Sequence, residues 1–137
     1  MTVTSRHRVS TRGQGDVHDL TDAVAAAIRQ AGLPDGLATV FVVGSTAGLT
    51  TMEFEPGAVA DLGALFERLV PRRADYRHHL TWGDDNGSSH ARAALVGPSI
   101  SVPFEGGQLL LGTWQQIVLL EFDTRGRTRE VVIQVRD

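Results

Sequence analysis

The sequence contains no cysteine and no lysine among its 137 residues. Without thiolates it forms neither disulfides nor Cys-ligated metal sites, so a transition-metal site has to be built from His, Asp, Glu and water. Without lysine there is no Schiff-base catalysis; all 13 basic side chains are arginines. No apolar run approaches the roughly 20 residues that span a bilayer. The opening "MTVTSRHRVS" lacks the apolar stretch of a signal peptide. These absences lead us to expect a cytoplasmic protein with no membrane partner. A net charge of −3 also lacks the basic excess that draws proteins to nucleic acid.

What remains is ordinary globular composition, 42% hydrophobic and 21% charged, enough for a core in one domain over residues 1–137. The first ten residues alternate, with Val3, Ser5, His7 and Val9 on one face, and predict a strand near a sheet edge. Val24, Ala27, Ile28 and Ala31 fall at helical spacing, with Thr21 as N-cap and Gly32 and Pro34 as the stop. "LATVFVVG" is apolar on both faces and predicts a central strand covered on both sides, with "LTTMEF" as its hairpin partner. Val59, Leu62, Leu65, Phe66, Leu69 and Val70 predict a second amphipathic helix, ended by Pro71.

Three further strands are expected at "SISVPF", "LLLGTWQQIVLLEFD" and "REVVIQVR". The fold class is therefore α+β, a mostly antiparallel sheet with two main helices. If the long strand runs unbulged from Thr113, both of its faces are apolar at the centre. Two helices offer little material to cover both, so subunit association is the expected remedy.

"YRHHLTWGDDNGSSHARAALVG" holds three of the five histidines. His78, His79 and His90 can form a metal site with a nearby carboxylate, or they can be hydrogen-bonded histidines of a loop. If residues 77–81 are extended, His78 and His79 point to opposite faces, and only one of them joins His90. In "GSTAGLT", Ser45, Thr46 and backbone N–H groups can cradle an anion, or the stretch is a plain turn between strands. Asn86-Gly87 favours a tight turn, beside Asp84 and Asp85, which hold Mg²⁺ or are solvated. Glu53 and Glu121 sit in apolar β-type runs. A carboxylate there serves as a general base, a metal ligand or the partner of a buried arginine, the last being the commonest fate.

"STAGLTTMEFEPG", the segment from Tyr76 through "GTWQQIVLLEFD", and "TREVVIQV" together resemble the YjbQ-like family, which carries the label secondary thiamine-phosphate synthase. The resemblance runs in order from about Val40 onward. It implies a small α+β subunit that assembles as a homotrimer, with a histidine-containing site that holds a divalent metal (zinc, or magnesium or manganese) in some members. Carried across, Glu53 matches the motif glutamate, His78 the histidine of the Tyr-x-His segment, and His90 the histidine after Asn-Gly. Thr113, Trp114, Gln115 and Glu121 match the strand motif. The chain departs where many members have a histidine at position 44, an asparagine at 52 and an aspartate at 79. That leaves His79, Glu53 or water as the third ligand.

The leading expectation is an enzyme acting on a small phosphorylated or heteroaromatic substrate, with thiamine-phosphate synthesis as the named candidate. His78, His90, Glu53 and Glu121 would do the chemistry, and Ser45, Thr46, Arg77, Asn86, Thr113 and Gln115 would bind substrate. Stabilising a leaving pyrophosphate needs cationic or imidazole groups, for which Arg77 and Arg92 are candidates beside the histidines. The alternatives are a non-catalytic metal- or metabolite-binding trimer and a structural trimer whose histidines serve the interface.

Overall fold

Alternating inward residues dominate the strands. Ala38, Val40 and Val42 of one strand and Val131, Ile133 and Val135 of another are each at most 2% exposed. In the computed structural model, which describes all residues 1–137, these strands belong to a five-stranded antiparallel sheet of order β1-β8-β3-β5-β6. Its members are β1 (Thr2–Ser10), β3 (Gly36–Val43), β5 (Ser99–Glu105), β6 (Gln108–Leu109) and β8 (Thr128–Arg136). A second antiparallel sheet of order β2-β7-β4 comprises β2 (Val17–Asp19), β4 (Ala47–Met52) and β7 (Gln116–Glu121). The α+β class and the edge position of the first strand agree with expectation.

The main core lies between the two sheets, closed by α1 (Thr21–Ala31) through Val24, Ala27 and Ile28. Gly32 ends α1 in the left-handed conformation, φ 68°, which suits a residue without Cβ. The helix begins at Thr21 itself, not after it: Leu20 is the N-cap, and the Thr21 hydroxyl accepts the Ile117 N–H at 3.0 Å. α2 (Pro56–Leu69) starts where Glu55 accepts the Gly57 N–H at 2.9 Å and Pro56 takes the first turn.

Three expectations are corrected. β4 is not the hairpin partner of β3. The chain leaves one sheet at Gly44 and enters the other at Ala47, where β4 pairs with β7 from Ala47↔Glu121 to Met52↔Gln116. β3 is covered on one side only, because Phe41 and Val43 are 43% and 52% exposed. The long strand is broken: residues 110–115 are irregular, with the Gln115 side chain accepting the Gly112 N–H at 3.1 Å, and Trp114 stands exposed.

β7 is nonetheless buried on both faces, and both coverings come from this chain. Ile117 and Leu119 face the core between the sheets. Val118 and Leu120 face Phe66 of α2 and Ala93 of a further helix, α4. That helix was not expected, because the histidine-rich stretch folds as two helices, α3 (Arg77–Trp82) and α4 (Gly87–Val96). The second face of β7 therefore needs no partner subunit.

Candidate functional site

α3 and α4 meet at a hairpin whose sequence explains the turn. Gly83, φ 65°, ends α3 in the left-handed conformation. Gly87 opens α4 so close to α3 that a Cβ on it would lie 2.4 Å from the Tyr76 Cβ. Its N–H donates to His79 Nε2 at 2.9 Å. His79 is thereby spent on holding the two helices together, and its ring packs edge-on against Tyr76.

Because residues 77–82 are helical rather than extended, His78 turns toward α4, and its ring lies 4.4 Å from that of His90, tilted by 37°. His78 Nδ1 is 3.0 Å from Asp84 Oδ1. A carboxylate only accepts, so the Nδ1 position carries the proton and Nε2 is the nitrogen left to exchange one. His90 has its pKa lowered by burial first and by the neighbouring His78 second, against the opposing pull of Asp123 and Asp84. It is held neutral.

Behind the histidines runs a buried network. Asp123, 1% exposed, accepts the Thr46 hydroxyl at 3.0 Å and the Arg127 Nε–H at 2.9 Å. Asn86 Nδ2 reaches the same carboxylate at 3.4 Å. Burial acts to raise the Asp123 pKa, but the Thr124 N–H, the Thr46 hydroxyl and Arg127 outweigh it and hold the pKa below the ordinary value. Thr46 also accepts Arg129 Nη2 at 2.7 Å, and Arg129 Nε donates to Glu121 Oε2 at 2.8 Å. Thr11 completes the shell of Glu121 through a 2.7 Å hydroxyl bond.

Thr46, Asn86 and Glu121 are thus joined around Asp123, while His78 and His90 pair beside Asp84. Glu121 has met the third of its expected fates, the buried arginine. Glu53 is exposed, as is Ser45. Arg77 and Thr113 are exposed and form no side-chain hydrogen bond, while Gln115 Nε2 donates to Thr51 at 3.0 Å, tying the irregular segment to β4. Arg92 lies away from the histidines. It is buried, with Nε on the Val70 carbonyl and Nη2 on Glu67, each at 2.9 Å. No three His, Asp or Glu side chains are arranged to hold a metal ion. His78 and His90 supply two imidazoles, but the third candidate ring is committed to Gly87. The donors as they stand do not fit the metal that the resemblance implies.

Sequence reasoning missed Asp123, Arg127 and Arg129. The signal for Arg129 was present: in "REVVIQVR" it shares the inward face with Val131, Ile133 and Val135, where a lone charge demands a partner.

Two antiparallel sheets with a helical hairpin carrying a histidine pair define a small α+β domain of one layered type. The sequence profile described as "UPF0047 protein YjbQ-like" matches residues 5–137, and the chain belongs to that family. A UPF0047 protein of Archaeoglobus fulgidus is 37% identical over 92% of this chain and 95% of its own. One of Mycobacterium bovis is 45% identical over 82% and 85%. Among solved structures, a Clostridium acetobutylicum protein of the yjbq/upf0047 family superposes with a TM-score of 0.86 at 31% identity, covering 96% of this chain and 99% of its own. A Sulfolobus solfataricus YbjQ-like protein of unknown function gives 0.88 at 26% identity, with 98% of each chain covered.

Proposed function

We propose that this chain is an enzyme acting on a small phosphorylated or heteroaromatic molecule, with His78 as its proton-transferring group. The observation that carries the reading is the Asp84–His78–His90 arrangement. Asp84 orients His78 and stabilises the imidazolium formed when Nε2 takes a proton, the role a carboxylate plays behind a general base. The neutral His90 beside it accepts or donates a hydrogen bond without adding a second positive charge. Thiamine-phosphate formation, a pyrimidine pyrophosphate joined to a thiazole phosphate with release of pyrophosphate, is the named candidate. We further propose that the working form is a homotrimer.

Single-turnover assays with those two substrates test the reading. Wild type is expected to form thiamine phosphate, and His78→Ala to lose about 100-fold or more in rate, the scale of general acid–base catalysis. Folded His78→Ala and His90→Ala variants that turn over like wild type would overturn it. Binding without product would instead favour the non-catalytic metabolite-binding alternative.

A further inference from the structure

The buried network leaves one charged group unspent. Arg129 directs Nε to Glu121 and Nη2 to Glu121 and Thr46, while Nη1 has no hydrogen-bond partner in the chain. The side chain is only 7% exposed, and Nη1 is the nitrogen of it that solvent still reaches. Gly44 explains how Nη1 stays uncovered. A Cβ placed on Gly44 would stand 2.8 Å from Nη1 and 3.9 Å from Cζ, and beyond its chain neighbours it would meet nothing else within 4 Å. Gly44 and Ser45 are both exposed, so the space over the guanidinium opens to solvent. The one position whose side chain would cap this nitrogen carries none.

We propose that Arg129 Nη1, uncovered at Gly44, binds an oxyanion of a small molecule, the oxygen of a phosphate or carboxylate group. The charge balance permits it. Asp123 is matched by Arg127 and Glu121 by Arg129, so an arriving anion meets a neutral surround with two N–H bonds free. Arginine keeps its proton at any working pH, and its bonds to anionic oxygens are among the stronger ones available. Thr46 links the site to Asp123 by hydrogen bonds to both Arg129 and the carboxylate. The inference does not depend on the histidine chemistry proposed above, since it concerns binding alone.

Inorganic phosphate, pyrophosphate and acetate are titrated into the full chain by calorimetry, with the Arg129 guanidinium ¹⁵N resonances followed by NMR. One site is expected, with the Arg129 signals shifting on saturation. Pyrophosphate or phosphate binding alone identifies a phosphate site, and acetate binding a carboxylate site. Gly44→Val is expected to weaken binding at least tenfold, and His78→Ala to leave it in place even if turnover is lost. No binding of any probe, saturation without movement of the Arg129 signals, or equal affinity in a folded Gly44→Val variant would overturn the proposal. Should Gly44→Val fail to fold, the wild-type resonances decide alone.

Discussion

Glu121 and Arg129 form a two-point ion pair in the interior, with Nε on Oε2 at 2.8 Å and Nη2 on Oε1. Both side chains are at least nine-tenths buried. Glu121 ends β7 of one sheet and Arg129 belongs to β8 of the other, so the pair ties the two sheets together at the end where the candidate site lies.

Glu121→Gln therefore leaves a buried guanidinium without its counter-charge. Breaking such a pair from one side costs about 3–5 kcal/mol. Thermal unfolding at fixed protein concentration is expected to show a melting temperature lower by roughly 6–20 °C, at about 2–4 °C per kcal/mol for a chain of this size. A drop under 2 °C would mean the pair contributes little.

Stability should fall between neutral and mildly acidic pH because of His90. Its folded pKa lies below its ordinary 6.5, so on acidification the unfolded chain takes up a proton that the folded chain resists. The contribution is fully present above about 6.5 and is lost as pH falls from there toward the lowered value. Urea midpoints from pH 7.5 to 5 are expected to decline in wild type and to decline less in His90→Gln. Parallel curves for the two proteins would assign the decline elsewhere.

Gly87→Ala tests the helical hairpin. The added methyl would meet the Tyr76 Cβ at 2.4 Å and His79 Nε2 at 3.0 Å. Overpacking of this kind costs about 1–3 kcal/mol. We expect the melting temperature to fall and the His78–His90 contact to loosen, seen as a rise of the His90 pKa toward its ordinary value in an NMR titration. An unshifted His90 would show that the hairpin is not what positions the ring.

The outward face of the five-stranded sheet should be an association surface. Phe41 stands on it opposite Val132, with Val43 two residues further along β3. Light scattering at micromolar concentration is expected to give a multiple of the 14.8 kDa chain mass, the trimer being the expected one. Phe41→Glu should lower that mass. A monomeric wild type would refute the expectation.

The longer strands, though not β2 or the separate two-residue β6, and the first two helices were legible because their periods of two and 3.6 are written in apolar residues. The hairpin reading of β3 and β4 failed where a tight glycine turn and a change of sheet look alike: nothing in "GSTAGLT" says which strand β4 will pair with. The histidine-rich stretch hid its helices because α4 buries small and polar residues, Gly87, Ser88, Ser89 and Ala93, in place of a stripe of leucines. His78 and His90 were legible by residue type, and Glu121 by its apolar surroundings. Arg129 was marked as a lone charge on an inward face, but its pairing with Glu121, like the place of Asp123, is set only by contacts between distant strands.

β8 follows every other element along the chain, yet it lies between β1 and β3 within its sheet. On a ribosome, which releases the chain from the N-terminal end, the slot between those two strands stays vacant until Thr128–Arg136 emerges. Until then Glu121 has no cation and Gly44 overlooks nothing. The nascent protein must keep an unfilled sheet from pairing with other strands in the meantime, so the appearance of a functional site and the end of the aggregation-prone interval are the same event.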